Sequence, residues 1–336
     1  MSPEAILKNY DLGTVRGLES LSHGLINQTS LVHARAGDFI LQRLHPIYAP
    51  GATVNIAAAT EHLAAKKMLT MRIVPTLKNE YVITDEEQRL WRLVTFIPGK
   101  IIEAVPSARV ARSAAALLGQ FHRSLSDATI TFAPTRAMQV VSSYFDDFVK
   151  ATEGQMLTDE MLRWKQEILA QLPQLKLPVE LRHTITHGDT KITNIIFADD
   201  DTAKTMIDLD DVGDQENILA DLGQAVRSWC SGNEDDAKNQ CNIDYFAALV
   251  EGYQNGSQNF ATRKEMRLLP RAARFITLEL AARFLCDYFE DSYFSFDATR
   301  YASRREHNLA RARGQMALYY DLCRKEAQMN AIVARY

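Results

Sequence analysis

The stretch HGDTKITN at residues 187–194, followed after a short strand by IDLD at residues 207–210, decides how this sequence is interpreted. Phosphoryl transfer needs a carboxylate that orients and deprotonates the attacking hydroxyl, and oxygen ligands that hold a metal ion against the phosphates. Asp189 is the candidate base, and Asn194 and Asp208 are candidate ligands for Mg²⁺, which prefers oxygen donors. The pattern therefore predicts an Mg²⁺-dependent kinase with ATP as co-substrate.

Each of these residues also has a simpler interpretation. His187 and Asp189 can cap a turn, and Asp208 can be a solvated strand end. The joint occurrence of H-x-D-x-x-x-x-N and a nearby apolar strand that carries an aspartate is much less expected by chance. The combination therefore favours catalysis over a purely structural role.

The composition is that of an ordinary globular protein and argues against several kinds of partner. Of 336 residues, 46% are hydrophobic and 24% are charged, which is far from the composition of a disordered chain. The formal net charge of −4 and the lack of a dense Lys/Arg run argue against nucleic-acid and anionic-membrane partners. A chain of this length exceeds one typical domain, so two lobes are expected.

The cysteine and hydropathy patterns favour a cytoplasmic location. The cysteines are widely spaced without a C-x-x-C pair, so buried thiols in a reducing compartment are expected rather than zinc ligands or a disulfide framework. No window reaches the roughly 18 apolar residues of a membrane span, and the N-terminus lacks the apolar stretch of a signal peptide. The oligomeric state is left open.

The order of the elements predicts an α+β protein. The first hundred residues contain one helix, at 53–69, and strands at 29–35, 39–43, 81–84 and 91–96, the first two forming a hairpin. Later segments are mostly helical, with Ser107 as an N-cap. They are expected to form helices over 107–125, 274–289 and 306–325 and short strands over 184–186, 195–198 and 205–209.

An Ile-Pro-Gly break separates these two parts. We therefore expect a small, β-rich N-terminal lobe that binds nucleotide over residues 1–98, with a hinge at about 95–99. A larger, mostly helical lobe over residues 99–336 is expected to carry the catalytic and acceptor sites.

The catalytic stretch resembles that of the aminoglycoside phosphotransferase and choline kinase superfamily, whereas the H-R-D and D-F-G forms of protein kinases are absent. The resemblance implies a bilobal protein-kinase-like fold, with Asp189 as base and Asn194 and Asp208 as Mg²⁺ ligands. It also implies that His187 and Asp221 support the catalytic loop. Taken alone, Asp221 is equally well a helix N-cap.

A closer resemblance is to the N-acetylhexosamine kinases of this superfamily. It runs in order through residues 40–44, 115–125, 186–210, 278–280, 283–288, 293–294 and 307–313. It implies that the acceptor is the anomeric hydroxyl of an amino sugar. Choline, homoserine and aminoglycosides stay open as acceptors, and so does a non-catalytic module that only binds nucleotide.

The nucleotide side of the resemblance is less regular. Gly24 and Asn27 belong to a segment that lies where these enzymes place a loop over the phosphates. Gln42 occupies the position of the usual phosphate-binding lysine, and strand alternation points Arg43 to the opposite face. A bulge that turns Arg43 inward is the competing interpretation. Glu61 is either the acidic partner of a cation or a solvated surface residue.

The hinge and the acceptor pocket complete the candidate site. The backbone groups of Thr95, Phe96 and Ile97 are expected to meet the adenine edge. For Asp210, the sequence leaves a second Mg²⁺, a sugar hydroxyl or only water as its ligand. The remaining candidates for acceptor binding are Trp229, Arg283, Tyr288 and Tyr293.

Overall fold

The computed structural model describes residues 1–21, 27–135 and 141–336. Its N-terminal part is one antiparallel sheet with the strand order β1-β2-β3-β6-β4, in which β5 pairs with β6. The elements are α1 (Pro3–Leu7), β1 (Val15–Leu21), β2 (Gln28–Ala34), β3 (Gly37–Arg43), α2 (Pro50–Ala65), β4 (Ile73–Val74), β5 (Ile83–Thr84) and β6 (Leu90–Thr95).

The C-terminal part is mostly helical, with two small antiparallel pairs, β7 with β10 and β8 with β9, around the catalytic stretch. The elements are α3 (Ala108–Leu125), α4 (Val141–Thr152), α5 (Asp159–Leu175), β7 (Thr184–Thr186), a 3₁₀ turn (Ile192–Asn194), β8 (Ile195–Phe197), β9 (Ala203–Met206), β10 (Gly213–Glu216), α6 (Ile218–Trp229), α7 (Ile243–Ser257), α8 (Arg263–Arg267), α9 (Leu269–Glu290), α10 (Arg304–Arg324) and α11 (Glu326–Val333).

The α+β class and most of the predicted elements are confirmed. Strands β2 and β3 form the expected hairpin, and the Ser107 hydroxyl accepts a hydrogen bond from the Val110 N–H to cap α3. Strand β1 was not predicted, because none of its residues is buried and it has no apolar face to reveal it. Helix α9 begins before residue 274, since Pro270 occupies its first turn, where the missing N–H costs nothing. A division of the chain at residue 98 stays a prediction.

One apolar core joins the two parts of the chain. Ile56 and Leu63 of α2 and Val94 of β6 belong to the same buried cluster as Leu118 and Phe121 of α3. The outer face of the sheet packs on α1 in a separate cluster. The inner side of the sheet is therefore continuous with the helical part, and only its outer side has a core of its own.

Helices α3 and α7 approach each other very closely at glycines. A Cβ on Gly256 would lie 2.0 Å from the carbonyl oxygen of Ala116, and one on Gly252 would lie 2.2 Å from that of Arg112. Because such distances are impossible for real atoms, side chains at these positions would push the helices apart. The close contact places His122 of α3 beside Tyr253 of α7.

The cysteines are free thiols. Burial raises the pKa of the Cys241 thiol to about 12, so it stays protonated and unreactive. Among residues 1–21, 27–135 and 141–336, no helix combines the length and the apolar character that crossing a bilayer requires.

We expect Gly256→Ala to destabilise the protein by roughly 1–3 kcal/mol, because the added methyl group overpacks the α3–α7 contact. Helix propensity alone would favour alanine by about 1 kcal/mol, so a net loss reports the packing. The free energy of unfolding from urea titration measures it. Gly232→Ala is the control, since its nearest neighbour would be 3.5 Å away. A Gly256→Ala protein as stable as the wild type would contradict the packing argument.

Candidate active site

The loop that follows β7 carries the HGDTKITN motif and turns sharply at Gly188. Gly188 has a φ of 85°, in the left-handed region that glycine adopts without steric cost. A Cβ at this position would lie 2.6 Å from the Cβ of Asp211. The turn therefore brings the loop against the segment that contains the predicted metal ligand Asp208.

Asp221 holds this loop in place. Its two carboxylate oxygens accept hydrogen bonds from the N–H groups of His187 at 2.7 Å and Gly188 at 2.9 Å. Its main-chain oxygen accepts a third, at 2.6 Å, from the Thr190 hydroxyl. The N-cap of α6 is Asn217, so the alternative interpretation of Asp221 as a helix cap is wrong.

His122 completes the support of Asp221 from behind. Its Nε2 lies 2.9 Å from the Asp221 carboxylate, and its Nδ1 lies 3.0 Å from the Tyr253 hydroxyl. Although burial opposes the effect, the hydrogen bond from His122 lowers the pKa of Asp221. This role of His122 was not predicted from the sequence. The available signal was a histidine on the buried side of an otherwise apolar helix face.

His187 ties the loop to the strand that leads to Asp208. Its Nε2 donates to the carbonyl oxygen of Ile207 at 3.0 Å, and its Nδ1 accepts from the N–H of Asp189 at 3.3 Å. Burial lowers the pKa of His187, which favours the neutral ring that both contacts need. His187 thus links the predicted base to the predicted metal strand without entering the chemistry.

The carboxylate of Asp189 is held on both oxygens. Asn194 donates to Oδ2 at 3.1 Å and also to the main-chain oxygen at 2.8 Å, and Gln224 donates to Oδ1 at 3.3 Å. The Lys191 ammonium lies 2.7 Å from Oδ2. Burial would raise the pKa of Asp189, but the charge of Lys191 lowers it, so the group is ionised at neutral pH. Asp189 is fixed in position and negatively charged.

Lys191 and Gln224 are site residues that the sequence analysis missed. Burial disfavours the ammonium, but the charges of Asp189 and Asp208 raise the pKa of Lys191. The signal for Lys191 was its place inside the motif, two positions after the predicted base. Gln224 lies on α6 one turn beyond Asp221, and its role follows only from the tertiary structure.

Asp208 sits in a strained and crowded position. Its φ of 61° is uncommon for a residue with a side chain. Burial, and then the negative charge of Asp210, raise the pKa of Asp208. A bound cation would relieve this repulsion between neighbouring carboxylates.

The residues around Asp208 fit a magnesium ion that phosphates help to hold. The Asn194 amide nitrogen is engaged by Asp189, which leaves its amide oxygen for a cation. In the described parts of the chain, no three His, Cys, Asp or Glu side chains are grouped so that they could hold a metal by themselves. One carboxylate and one amide oxygen are typical of a Mg²⁺ site completed by substrate phosphates.

The carboxylate of Asp210 is occupied by side chains of the N-terminal part. Arg92 of β6 forms a two-pronged ion pair with it, at 2.5 Å and 3.0 Å, and Asn27 donates to it at 3.3 Å. Asp210 is 2% exposed, so an acceptor cannot reach it in this arrangement. The expectation of acceptor binding by Asp210 is therefore corrected to a contact between the two parts of the chain.

Gln42 and Arg43 point to opposite faces of the sheet, as strand alternation predicts. Gln42 accepts a hydrogen bond from Arg92 Nε at 2.8 Å. Arg43 pairs with Glu87 at 2.5 Å on the other face and lies over the Trp91 ring. Because β3 and β6 pair in regular register, the alternative of a bulge that turns Arg43 inward is wrong.

The remaining nucleotide candidates are only partly brought together. The N–H of Thr95 donates to Arg72 and that of Phe96 donates to Asp38, so neither is available to adenine as expected. Of the three hinge residues, Ile97 alone has an N–H that donates to no backbone oxygen of the described residues. Glu61 is an exposed residue of α2, which favours its interpretation as a surface glutamate. Gly24 lies outside the described residues.

The residues predicted to bind the acceptor lie in different surroundings. Trp229 is completely buried in the core, so the expectation that it stacks on a sugar is corrected. Tyr288 packs edge-on against Phe289. Arg283 lies near the ring of Tyr293 and near the catalytic segment: burial raises the pKa of Asp211 to about 6, and the charge of Arg283 opposes that rise.

Glu279 is a further residue that the sequence analysis did not identify. It is 5% exposed, and its Oε1 has no hydrogen-bond donor among the described residues. Burial raises the pKa of Glu279, while the charges of Arg283 and Arg227 lower it. Arg227 also lowers the pKa of Asp189, so the same arginine lies near both carboxylates. Arg283 Nε lies 3.7 Å from Glu279 Oε1, so this oxygen has an ion-pair partner but no donor at hydrogen-bond distance among the described residues.

Residues 17–269 match the phosphotransferase enzyme family. The chain belongs to this family. It is therefore an enzyme of the small-molecule kinase type, which phosphorylates a hydroxyl group.

Among curated proteins, the chain is similar to two homoserine kinases. That of Methylocella silvestris is 24% identical over 291 residues, and that of Xanthobacter autotrophicus is 25% identical over 288 residues. In both cases the match covers 85% of this chain and 85% of the relative.

Two solved structures have the same fold. An amicoumacin kinase in complex with AMP-PNP and Ca²⁺ matches with a TM-score of 0.65 and 14% identity, over 94% of this chain and 93% of the other. A microcompartment-associated aminopropanol kinase matches with a TM-score of 0.62 and 18% identity, over 97% of each chain. The expected bilobal kinase-like fold is thus confirmed.

Asp221→Asn is expected to loosen the catalytic loop, because an amide offers only one oxygen to the N–H groups of His187 and Gly188. The rates of amide hydrogen exchange at these two positions should rise about tenfold or more, which corresponds to a loss of about 1.4 kcal/mol for one hydrogen bond. The exposed Asp199→Asn substitution is the control. Unchanged exchange in Asp221→Asn would show that the loop is held by other contacts.

Proposed function

We propose that this phosphotransferase uses Mg²⁺ and ATP to phosphorylate the anomeric hydroxyl of an amino sugar of the N-acetylhexosamine class. The observation that carries the kinase chemistry is the environment of Asp189. Its carboxylate is ionised, accepts hydrogen bonds from Asn194 and Gln224, and lies beside Lys191. Such a group suits a base that orients a hydroxyl for in-line attack.

In the proposed reaction, the acceptor oxygen forms a bond to the γ-phosphorus of ATP, and the bond from that phosphorus to the bridging oxygen breaks to release ADP. Asp189 receives the hydroxyl proton. Bound Mg²⁺ supplies charge neutralisation at the phosphates, and Asn194 and Asp208 are the residues that would hold it. Lys191, close to both Asp189 and Asp208, would meet the transferring phosphate with its ammonium.

Two features support an amino sugar as the acceptor. The C-terminal segments that resemble N-acetylhexosamine kinases include Arg283 and Tyr293, which lie close together. The Glu279 Oε1 atom, which has no hydrogen-bond donor among the described residues and lies 3.7 Å from Arg283 Nε, would accept a hydrogen bond from a hydroxyl of the ligand while Arg283 and Arg227 donate to other oxygens of the ligand. A polyhydroxylated molecule can satisfy donors and acceptors that converge in this way.

Homoserine is the second candidate acceptor. The similarity to two homoserine kinases covers most of the chain. Arg227 and Arg283 offer guanidinium groups that would fit the carboxylate of an amino acid. The same Glu279 oxygen would then face the amino group.

The test is to incubate the purified protein with MgATP and N-acetylglucosamine, N-acetylgalactosamine, homoserine, choline or an aminoglycoside, and to follow ADP release. We expect the amino sugars to be the best acceptors and their product to show phosphorus coupling to the anomeric proton. Fastest turnover of homoserine would support the second candidate instead. ATP binding without Mg²⁺ and without any ADP release would indicate a nucleotide-binding module.

Asp189→Asn and Asp208→Asn should differ in a Mg²⁺ titration. Asp189→Asn is expected to keep MgATP binding but to lose roughly 10²- to 10⁴-fold in kcat, because only the base is removed. Asp208→Asn should weaken Mg²⁺-dependent nucleotide binding as well, because it removes a charged ligand. Equal losses of MgATP affinity in the two variants, or near-normal turnover by Asp189→Asn, would contradict this division of roles.

Arg283→Met is expected to raise the KM for the acceptor by roughly tenfold, the loss of a charged hydrogen bond, and to leave the KM for ATP nearly unchanged. Steady-state kinetics with both substrates varied separates the two values. Arg305→Met is the matched control, because Arg305 is 56% exposed and pairs only with Asp291 among the described residues. Equal increases in both KM values would exclude Arg283 from the acceptor pocket.

A further inference from the structure

The ion pair between Arg92 and Asp210 lies deeply buried beside the proposed site. The guanidinium donates through Nη1 at 2.5 Å and through Nη2 at 3.0 Å to the two carboxylate oxygens. Arg92 is 1% exposed and Asp210 is 2% exposed. The residues lie 118 positions apart, one in the sheet and one in the catalytic segment.

Neighbouring side chains fix the geometry of this pair. Arg92 Nε donates to Gln42 at 2.8 Å, and Gln42 is its direct partner across strands β3 and β6. Asn27 donates to Asp210 at 3.3 Å and accepts from the N–H of His45 at 2.8 Å. Two separate segments of the N-terminal part therefore contact one carboxylate of the C-terminal part, and a third, β3, holds Arg92 through Gln42.

Arg92 is not arranged to bind a phosphate directly. All three of its nitrogens already donate to Asp210 or Gln42. Arg92 is only 1% exposed, so a nucleotide phosphate would reach it only by displacing the groups that bury it, and displacing Asp210 would leave a buried carboxylate without a partner, at a cost of several kcal/mol. A lysine could not substitute, because it is a point charge without the planar fork that fixes both carboxylate oxygens.

The contact acts instead on the segment after β9 that carries Asp208. Asp210 follows Asp208 by two residues, and the backbone at Asp208 is held at a φ of 61° that a free chain would rarely adopt. A strained conformation persists only where its surroundings determine it, and a buried two-pronged ion pair two residues away is such a determinant.

We infer that Arg92 is a positioning residue. Through its ion pair with Asp210, it holds Asp208 in the orientation that binding of the metal and nucleotide requires. It also provides a buried positive charge next to Gln42, which is itself uncharged. The inference rests on the proposed function of Asp208. It predicts that a substitution at Arg92 weakens Mg²⁺-dependent nucleotide binding, although Arg92 itself contacts neither the metal nor the nucleotide. Residues that orient metal ligands typically contribute about 10- to 100-fold to metal affinity.

The experiment compares Arg92→Met, Asp210→Leu and the double variant with the wild type. Calorimetry measures AMP-PNP affinity with and without Mg²⁺, and thermal unfolding measures stability. Each single variant should lose about 10- to 100-fold in Mg²⁺-dependent affinity. The Mg²⁺-free affinity for AMP-PNP should change less than about threefold, because no phosphate contact is removed.

The double variant keeps the test decisive if a single variant fails to fold. Replacing both members of a buried ion pair with apolar side chains is often neutral for stability, whereas removing one leaves a buried charge. We expect the double variant to melt near the wild-type temperature but to keep the loss of Mg²⁺-dependent affinity. Its loss should equal that of a single variant, because the two residues act as one unit.

Arg274→Met is the matched control, since Arg274 also forms a two-pronged ion pair, with Glu326, away from the site. It should leave both affinities unchanged. A double variant with wild-type Mg²⁺ dependence would overturn the inference and leave the pair a purely structural contact. An equal loss of Mg²⁺-free affinity in Arg92→Met would make Arg92 a phosphate ligand instead.

These measurements do not depend on turnover. If no acceptor in the panel is phosphorylated, the proposed function fails, but the binding titrations still report on Arg92. If the wild type phosphorylates an amino sugar best and Arg92→Met binds MgAMP-PNP normally, the proposed function stands and the inference fails.

Discussion

The carboxylate of Asp221 is the contact on which the rest of the site depends. It accepts hydrogen bonds from the N–H groups of the two residues immediately before Asp189, the buried His187 and the exposed Gly188. Because both carboxylate oxygens are used, these contacts fix the path of the loop over the start of α6. The path directs Asp189 toward Gln224 and Lys191, and it lets His187 reach the strand before Asp208.

The chain of support extends away from the chemistry into the helical core. Asp221 is contacted by His122, and His122 by Tyr253, at the place where α3 and α7 lie closest. Apolar packing and catalytic geometry are therefore connected: the distance between two helices determines where an imidazole sits behind the loop. The buried ion pair of Arg92 provides similar support from the sheet side, so the catalytic segment is held from two directions.

The sequence predicted those parts of the site that lie close together along the chain. Asp189, Asn194 and Asp208 were recognisable because a loop and a strand bring them together over about 20 residues, and strand alternation correctly separated Gln42 from Arg43. Arg92 and His122 were not recognised, because their partners lie 118 and 99 positions away and a local pattern carries no information about such contacts. Trp229 was misjudged for a related reason: a large aromatic residue suits both a core and a binding wall, and only packing distinguishes them.

The apolar cluster shared by α2, β6 and α3 limits how far the sheet can move relative to the helices. Swinging the whole sheet away from the helices would expose that cluster to water, at about 25 cal/mol for each Å² of apolar surface. The outer face of the sheet belongs to a different cluster, with α1, so β1 and β2 can bend without disturbing the shared one. Bending of the sheet should therefore cost least at its β1–β2 edge, while α2 stays packed against the helical part.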